Sequence, residues 1–198
     1  MPVYPPNVML RFLSPSFAGN AVKANGRGTS ASFECGSFTR ISLTINDASK
    51  MITEARFETN GCGYMVASAD VIAEKLTGRE LTQLHSVDEM EFVRLVEAEL
   101  GGFPDGRGQC CHVVLEALRS ALADHRSQLI DEFEFTGEKA LVCTCFGVSE
   151  EVIEACIAKI SPYSVDDVIA ECRAGSGCGS CQMLIQEMID SHQNEGRA

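Results

Sequence analysis

The sequence predicts an α+β fold: a small antiparallel sheet with helices packed on one face, followed by a small all-helical unit. Three observations carry that reading. Two runs on either side of residue 50 alternate apolar and polar side chains, the period of strands with one wet face. The apolar period then lengthens to that of amphipathic helices in three successive segments. After a charged stretch broken by Gly137, helical signals resume without strands.

Taken in order, residues 1–33 are rich in Pro, Gly, Asn and Ser and hold no sustained period, so an irregular or mobile arm is expected. In RISLTIN, Ile41, Leu43 and Ile45 alternate with Arg40, Ser42 and Thr44; in ITEARFETN, Ala55 and Phe57 alternate with Glu54, Arg56 and Glu58. The turn-like NDASK between them makes the pair a hairpin. A helix over Met65–Leu76 ends at Gly78, a plausible C-cap. Ser86-Val87-Asp88-Glu89 has the capping-box pattern and opens a second helix that stops at Gly101-Gly102. A third runs from about Cys110 to Leu129, with Val114, Leu118, Ala121 and Leu122 on the face that covers the hairpin.

This first domain is expected over 34–130, a linker over 131–140 (DEFEFTGEKA), and the helical unit over 141–198. In that unit Ser149 with Glu150 and Glu151 opens one helix, Ser164-Val165-Asp166-Asp167 a second, and a third starts near Cys181. A unit of this size has a thin core and usually needs a staple. It carries six cysteines.

Over its 198 residues the chain has a formal net charge of −12 and no Lys/Arg-rich run. Nucleic acid and anionic membranes are therefore not expected partners. The N-terminal stretch lacks a basic region followed by a continuous apolar one, and no run reaches transmembrane length. A soluble, cytoplasmic protein is expected, in a compartment where ten cysteines serve as metal ligands or reactive groups more often than as disulfides.

Cys143-Thr144-Cys145, a gap of thirty-two residues, and Cys178-Gly179-Ser180-Cys181 form one constellation. In an extended segment the i and i+2 side chains share a side, so Cys143 and Cys145 can face one site. The glycines of GSGCGSC let the backbone curl around a metal centre, and the following helix N-terminus favours thiolates. Four thiolates suit tetrahedral zinc or a [2Fe–2S] cluster; the one-residue gap of the first pair is tight for zinc and leans toward the cluster. Cys156 and Cys172 lack such a setting and read as small core hydrophobes.

A second constellation is Cys35 in ECGSF, Cys62 in GCG and Cys110-Cys111 in GQCCHVV. One stands before a strand, one in the turn after the hairpin, one at a helix start, and the ends of different elements can meet at one rim. Taken singly, a cysteine such as Cys62 is more often a buried hydrophobe than a ligand.

These stretches carry a resemblance. Residues 34–130 resemble the iron–sulfur cluster scaffold proteins of the NifU/IscU type, in ECG before a strand, the hairpin leading into ARFETNGCG, the helix after it, and the cysteine opening an EAL-type helix. Residues 141–192 resemble the central ferredoxin-like domain of NifU, related to bacterioferritin-associated ferredoxin, in C-x-C, the gap and C-x-x-C. The resemblance implies an IscU-like first domain. It implies a labile assembly site on Cys35, Cys62 and Cys110, holding a labile [2Fe–2S] cluster, iron or zinc. It also implies a permanent [2Fe–2S] cluster on Cys143, Cys145, Cys178 and Cys181.

The function implied is a non-catalytic scaffold that receives sulfur from a cysteine desulfurase and hands clusters to apoproteins, with a homodimer as the family pattern. A two-site electron-transfer protein and a zinc-binding adaptor are the alternatives. The chain departs from the family at three places. Ser37 stands where an aspartate is common, Gln109 where a histidine is, and Phe103-Pro104-Asp105-Gly106-Arg107 replaces the chaperone-binding Leu-Pro-Pro-Val-Lys. The first two leave Cys111 as a possible fourth ligand, with His112 beside it; the third puts an Hsp70-type partner in doubt. Adjacent helical residues point about 100° apart, so Cys110 and Cys111 cannot both aim at one metal on a regular helix.

Overall fold

Ile41 stands opposite Phe57 and Leu43 opposite Ala55 in the expected antiparallel hairpin, which is part of a three-stranded sheet. Its strands are β1 (Gly26–Ala31), β2 (Phe38–Ile45) and β3 (Ile52–Thr59), in that spatial order. The computed structural model describes residues 4–85, 88–136 and 140–195. It forms two compact units, Met1–His125 and Arg126–Ala198.

The first unit contains α1 (Pro6–Leu13), α2 (Gly63–Leu76), α3 (Leu81–His85), α4 (Glu89–Leu100) and most of α5 (Gln109–Thr136). Leu43, Ile52, Met65, Ile72, Val96 and Val114 are fully or almost fully buried where the sheet meets the helices. Each such side chain contributes roughly 1.5–3 kcal/mol of burial free energy. α4 ends where expected, with Gly101 in the left-handed region. The proposed capping box at its start cannot be followed, because Ser86 and Val87 lie outside the described residues; Asp88 occupies the N-cap.

The expectation of an irregular arm over 1–33 is corrected, since this stretch supplies both α1 and β1. α1 has too few residues to be stable alone and owes its helix to packing on α2, a tertiary effect that propensity does not register. Its Arg11 reaches Asp70 and Glu74 on α2, each at 2.7 Å. The residues between α1 and β1 are ordered against the sheet as well. Phe57 N donates to Phe17 O, Gly19 N to Phe57 O, and Ala21 N to the buried Ser42 Oγ at 2.9 Å. The second face of the hairpin, expected to be wet, is therefore partly covered.

α5 begins one residue before Cys110 and runs on to Thr136, through the first six residues of the expected linker. Residues 137–139 of that linker lie outside the described residues. The two units divide at His125/Arg126, inside α5, rather than after residue 130. Two hydrogen bonds tie β1 to α5: Arg27 N donates to Asp124 Oδ2 and Ser30 Oγ to Glu116 Oε2.

The second unit is helical, as expected, with one addition. A short antiparallel ladder of β4 (Leu141–Cys143) and β5 (Val148–Ser149) precedes α6 (Glu150–Ile160), α7 (Val165–Cys172) and α8 (Gln182–Glu195). Ser149 and Ser164 cap α6 and α7 as the sequence suggested. Val152 N donates to Ser149 Oγ, and Asp167 Oδ2 accepts from Ser164 N at 3.1 Å. Ile153, Val168, Ile185 and Ile189 are fully buried and share their core with Cys143 and Cys145. Among the described residues no helix is long and apolar enough to cross a membrane.

Candidate metal-thiolate sites

Cys35 occupies the turn between β1 and β2. Ser32 N donates to Ser37 O and Gly36 N to Ser32 O, so the turn closes on itself and leaves the cysteine side chain in solvent. Its Sγ lies 3.3 Å from Ser37 Oγ. The hydroxyls of Ser32 and Ser37 favour its thiolate, with a smaller contribution from the Ser37 backbone and from the Arg107 guanidinium. Together they bring its pKa down to about 7.

Cys62 is the N-cap residue of α2 and Cys110 lies in the first turn of α5; their sulfurs are 3.7 Å apart. Both glycines beside Cys62 are required by close approach rather than by a left-handed turn. A Cβ on Gly61 would lie 2.4 Å from Met65 Sδ, and one on Gly63 would lie 2.7 Å from the Tyr4 ring. Tyr4 also accepts a hydrogen bond at its hydroxyl from Gly63 N, at 3.1 Å. Cys62 is accordingly half-buried. Arg107 Nη1 points at it from 3.9 Å. Cys110 is buried, and desolvation with the neighbouring Cys62 sulfur pushes its pKa up to about 12. Cys35 also acts on Cys110 electrostatically, so the three expected positions share one neighbourhood.

Cys111 does not join them. It is fully buried, and its pKa, pushed up to about 12, responds to burial and then to Glu97 and Glu89 of α4, with no thiol among its electrostatic neighbours. The roughly 100° turn between adjacent helical residues sends it toward α4 while Cys110 faces Cys62. Cys111 is a buried member of the first unit's core. His112 instead binds Glu89 at 2.8 Å. Tyr4, Ser32 and Arg107 were not singled out from the sequence for this neighbourhood. Only Arg107, one helical turn before Cys110, had a spacing that could have pointed to it.

In the second unit the four expected thiols associate crosswise. Cys145 Sγ donates to Cys178 Sγ at 3.4 Å, and the Cys143 sulfur lies near enough to Cys181 to oppose its ionisation. β4 and the turn after it carry the first pair, and the glycine-rich loop before α8 carries the second. That loop presses on Cys145: a Cβ on Gly177 would stand 2.9 Å from Cys145 Cβ. Burial and the Cys143 sulfur raise the Cys181 pKa to about 11, against the backbone N–H groups of Cys181 and Gly175 directed at its sulfur.

Sulfur-only donors, two crossed pairs and backbone N–H groups turned toward sulfur fit a thiolate-bound metal centre, and the cysteine clustering gives this unit iron–sulfur binding potential. Even so, among the described residues no three His, Cys, Asp or Glu side chains are already convergent enough to hold a metal ion. The thiols are gathered in pairs, and a bound centre would have to draw the pairs together.

Comparison with known proteins bears on both units. A family model described as the NifU-like N-terminal domain matches residues 3–131, and one described as the BFD-like [2Fe–2S] binding domain matches residues 141–191. The nitrogen fixation protein NifU of Trichormus azollae is 30% identical over 193 residues, covering 94% of this chain and 63% of that protein. NifU of Azospirillum brasilense is 29% identical over 194 residues, covering 95% and 59%. The iron–sulfur cluster assembly scaffold protein IscU of Aquifex aeolicus is 28% identical over 122 residues, covering 62% and 75%. The chain thus spans about three fifths of the length of those NifU relatives. Among solved structures, a putative iron–sulfur cluster assembly scaffold for the SUF system from Fervidobacterium islandicum aligns with a TM-score of 0.46 at 17% identity, covering 60% of this chain and 95% of that one. A NifU-like N-terminal protein from Brucella abortus aligns at 0.38 and 18%, covering 81% and 95%.

Proposed function

The chain belongs to the NifU-like family, and from that premise we propose that it is a non-catalytic scaffold on which an iron–sulfur cluster is built and then handed to apoproteins. The cargo is held by Cys35, Cys62 and Cys110. The observation that carries this reading is the inequality of those three thiols. One is exposed and close to half ionised near neutral pH, while its buried partner Cys110 stays protonated 3.7 Å from Cys62. Cys35 is then the group that first meets incoming iron or sulfur, and the inner pair completes the hold by giving up protons. Three thiols with Ser37 and Gln109 beside them leave a coordination position open, which suits a cargo that must depart.

Cys143, Cys145, Cys178 and Cys181 are the residues that would hold a resident [2Fe–2S] cluster. When bound, such a cluster supplies one-electron chemistry to the second unit. The chain's own part is to bring four sulfurs from two loops together and to aim the N–H groups of Gly175 and Cys181 at the Cys181 sulfur. A cysteine desulfurase is the sulfur source in this reading, apoproteins are the acceptors, and the scaffold works as a homodimer in the cytoplasm.

Anaerobic purification with visible spectra and iron, sulfide and zinc counts tests the reading. A coloured protein is expected. Cys178→Ser should remove the stable colour, and Cys62→Ser should remove only the fraction transferable to an apo-acceptor. Colourless protein with stoichiometric zinc, or two clusters equally resistant to transfer, would overturn it.

A further inference from the structure

Two thiols of the second unit remain outside its ligand set. Cys156, on α6, is 5% exposed, and Cys172, the last residue of α7, is half-buried at the edge of the same core. α6 and α7 pack on each other, and the Lys159–Glu171 ion pair joins them three residues beyond Cys156 and one before Cys172. The register that sets Lys159 beside Glu171 brings the two thiols into one neighbourhood, near enough that the Cys172 sulfur opposes ionisation of Cys156. Cys172 Sγ also donates to Val168 O at 3.3 Å, which holds its rotamer against its own helix. A core filler has no need of a sulfur neighbour on another helix; a disulfide does.

We propose that Cys156 and Cys172 are a reversible dithiol–disulfide couple, a covalent modification site that staples α6 to α7 when the protein meets a low-molecular-weight disulfide of the glutathione type. Cys172 is the more exposed of the two and reacts first. Its thiolate attacks one sulfur of the small disulfide, breaking that S–S bond, forming a mixed disulfide and releasing one small thiolate. The Cys156 thiolate then attacks the Cys172 sulfur, breaks the mixed bond and releases the second small thiolate. The two protons lost by the protein end on the two released thiols, and the two electrons that reduce the small disulfide come from the protein sulfurs. Burial raises the Cys156 pKa to about 11, so the second step should quicken as pH rises above neutral. The bond closes a segment that contains none of the four expected ligands. It would hold the thin second unit together without consuming them.

The test uses the full chain, equilibrated anaerobically in glutathione buffers of rising oxidised-to-reduced ratio, alkylated, digested and mapped by mass spectrometry. The expected product lacks two hydrogen atoms and links the peptides of Cys156 and Cys172. Cys156→Ala should stop at a mixed disulfide on Cys172, and Cys172→Ala should form neither species. The wild-type thermal midpoint should rise on oxidation and return with dithiothreitol, and Cys156→Ala should lose that shift. If Cys156 and Cys172 are alkylated as free thiols at every ratio, or oxidation links only the other cysteines, the proposal fails. It fails equally if Cys156→Ala keeps the reversible shift. Should a variant not fold, the wild-type mapping alone decides.

Discussion

Cys62 and Cys110, forty-eight residues apart, meet sulfur to sulfur at 3.7 Å because the start of α2 and the start of α5 open onto the same rim. That contact and burial keep Cys110 protonated, and burial does the same for Cys111 behind it. A buried thiol whose folded pKa lies above its unfolded one stabilises the fold at low pH and withdraws that support as pH climbs. The window runs from the ordinary thiol value of 9 up to about 12. The urea midpoint of the first unit should therefore fall between pH 9 and pH 11, and Cys111→Ala should flatten that fall. A midpoint that does not change over the window would contradict the assignment.

Cys35 should behave in the opposite way. Its alkylation rate by iodoacetamide should rise with a midpoint near pH 7, well before Cys110 or Cys111 reacts. Ser32→Ala should move that midpoint upward by more than Ser37→Ala, since the Ser32 hydroxyl is the larger support of the thiolate. Peptide-resolved alkylation across pH 5–10 reads it. Equal midpoints for wild type and Ser32→Ala would count against the hydrogen bond.

If the first unit carries the proposed cluster, Ser37 bears on its retention. A carboxylate at this position would put a further negative charge beside an anionic cluster, and the neutral serine does not. Ser37→Asp should shorten the half-life of a cluster reconstituted on the first unit and speed its transfer to an apo-acceptor. An unchanged or longer half-life under argon would leave the serine a tolerated neighbour of Cys35 only.

Asp70 anchors the N-terminal helix. It is 1% exposed and accepts from Arg11 Nη1 at 2.7 Å and from Phe17 N at 2.9 Å. Asp70→Ala should cost about 2–3 kcal/mol and free α1 from α2, with Asp70→Asn milder because it can still accept from Phe17 N. Urea unfolding measures the loss, and faster amide exchange over residues 6–13 shows where it acts. Protection of α1 unchanged in Asp70→Ala would show that the apolar contacts alone hold it.

The two units should answer differently to chelators. A fragment of residues 1–136 buries a core of sheet and helices and should keep its circular dichroism without metal. A fragment from residue 137 onward should lose helix on chelation, because its few fully buried isoleucines and valine share their core with cysteines that a metal centre would gather. Equal resistance of both fragments would refute this.

Much of the fold was legible in local pattern. The alternation through Ile41, Leu43 and Ile45, the capping box at Ser164, and the close cysteine pairs 143/145 and 178/181 are features of neighbouring residues, and neighbouring residues suffice to read them. α1 and β1 were not legible. Pro6–Leu13 is too short to hold a helix by propensity, and GRGTSA carries no apolar alternation; the first depends on Asp70 and the second on pairing with β2 and bonding to α5. The sequence by itself determined which cysteines fall in each unit and how they are spaced, since spacing and helix starts are encoded locally. Only the tertiary structure decided how the thiols divide: Cys110 toward Cys62 and Cys111 toward α4, Cys145 beside Cys178 and Cys143 near Cys181, with Cys156 and Cys172 in the core of the second unit. Burial and cross-element distance set each of those relations, and both arise from contacts between residues far apart in the chain.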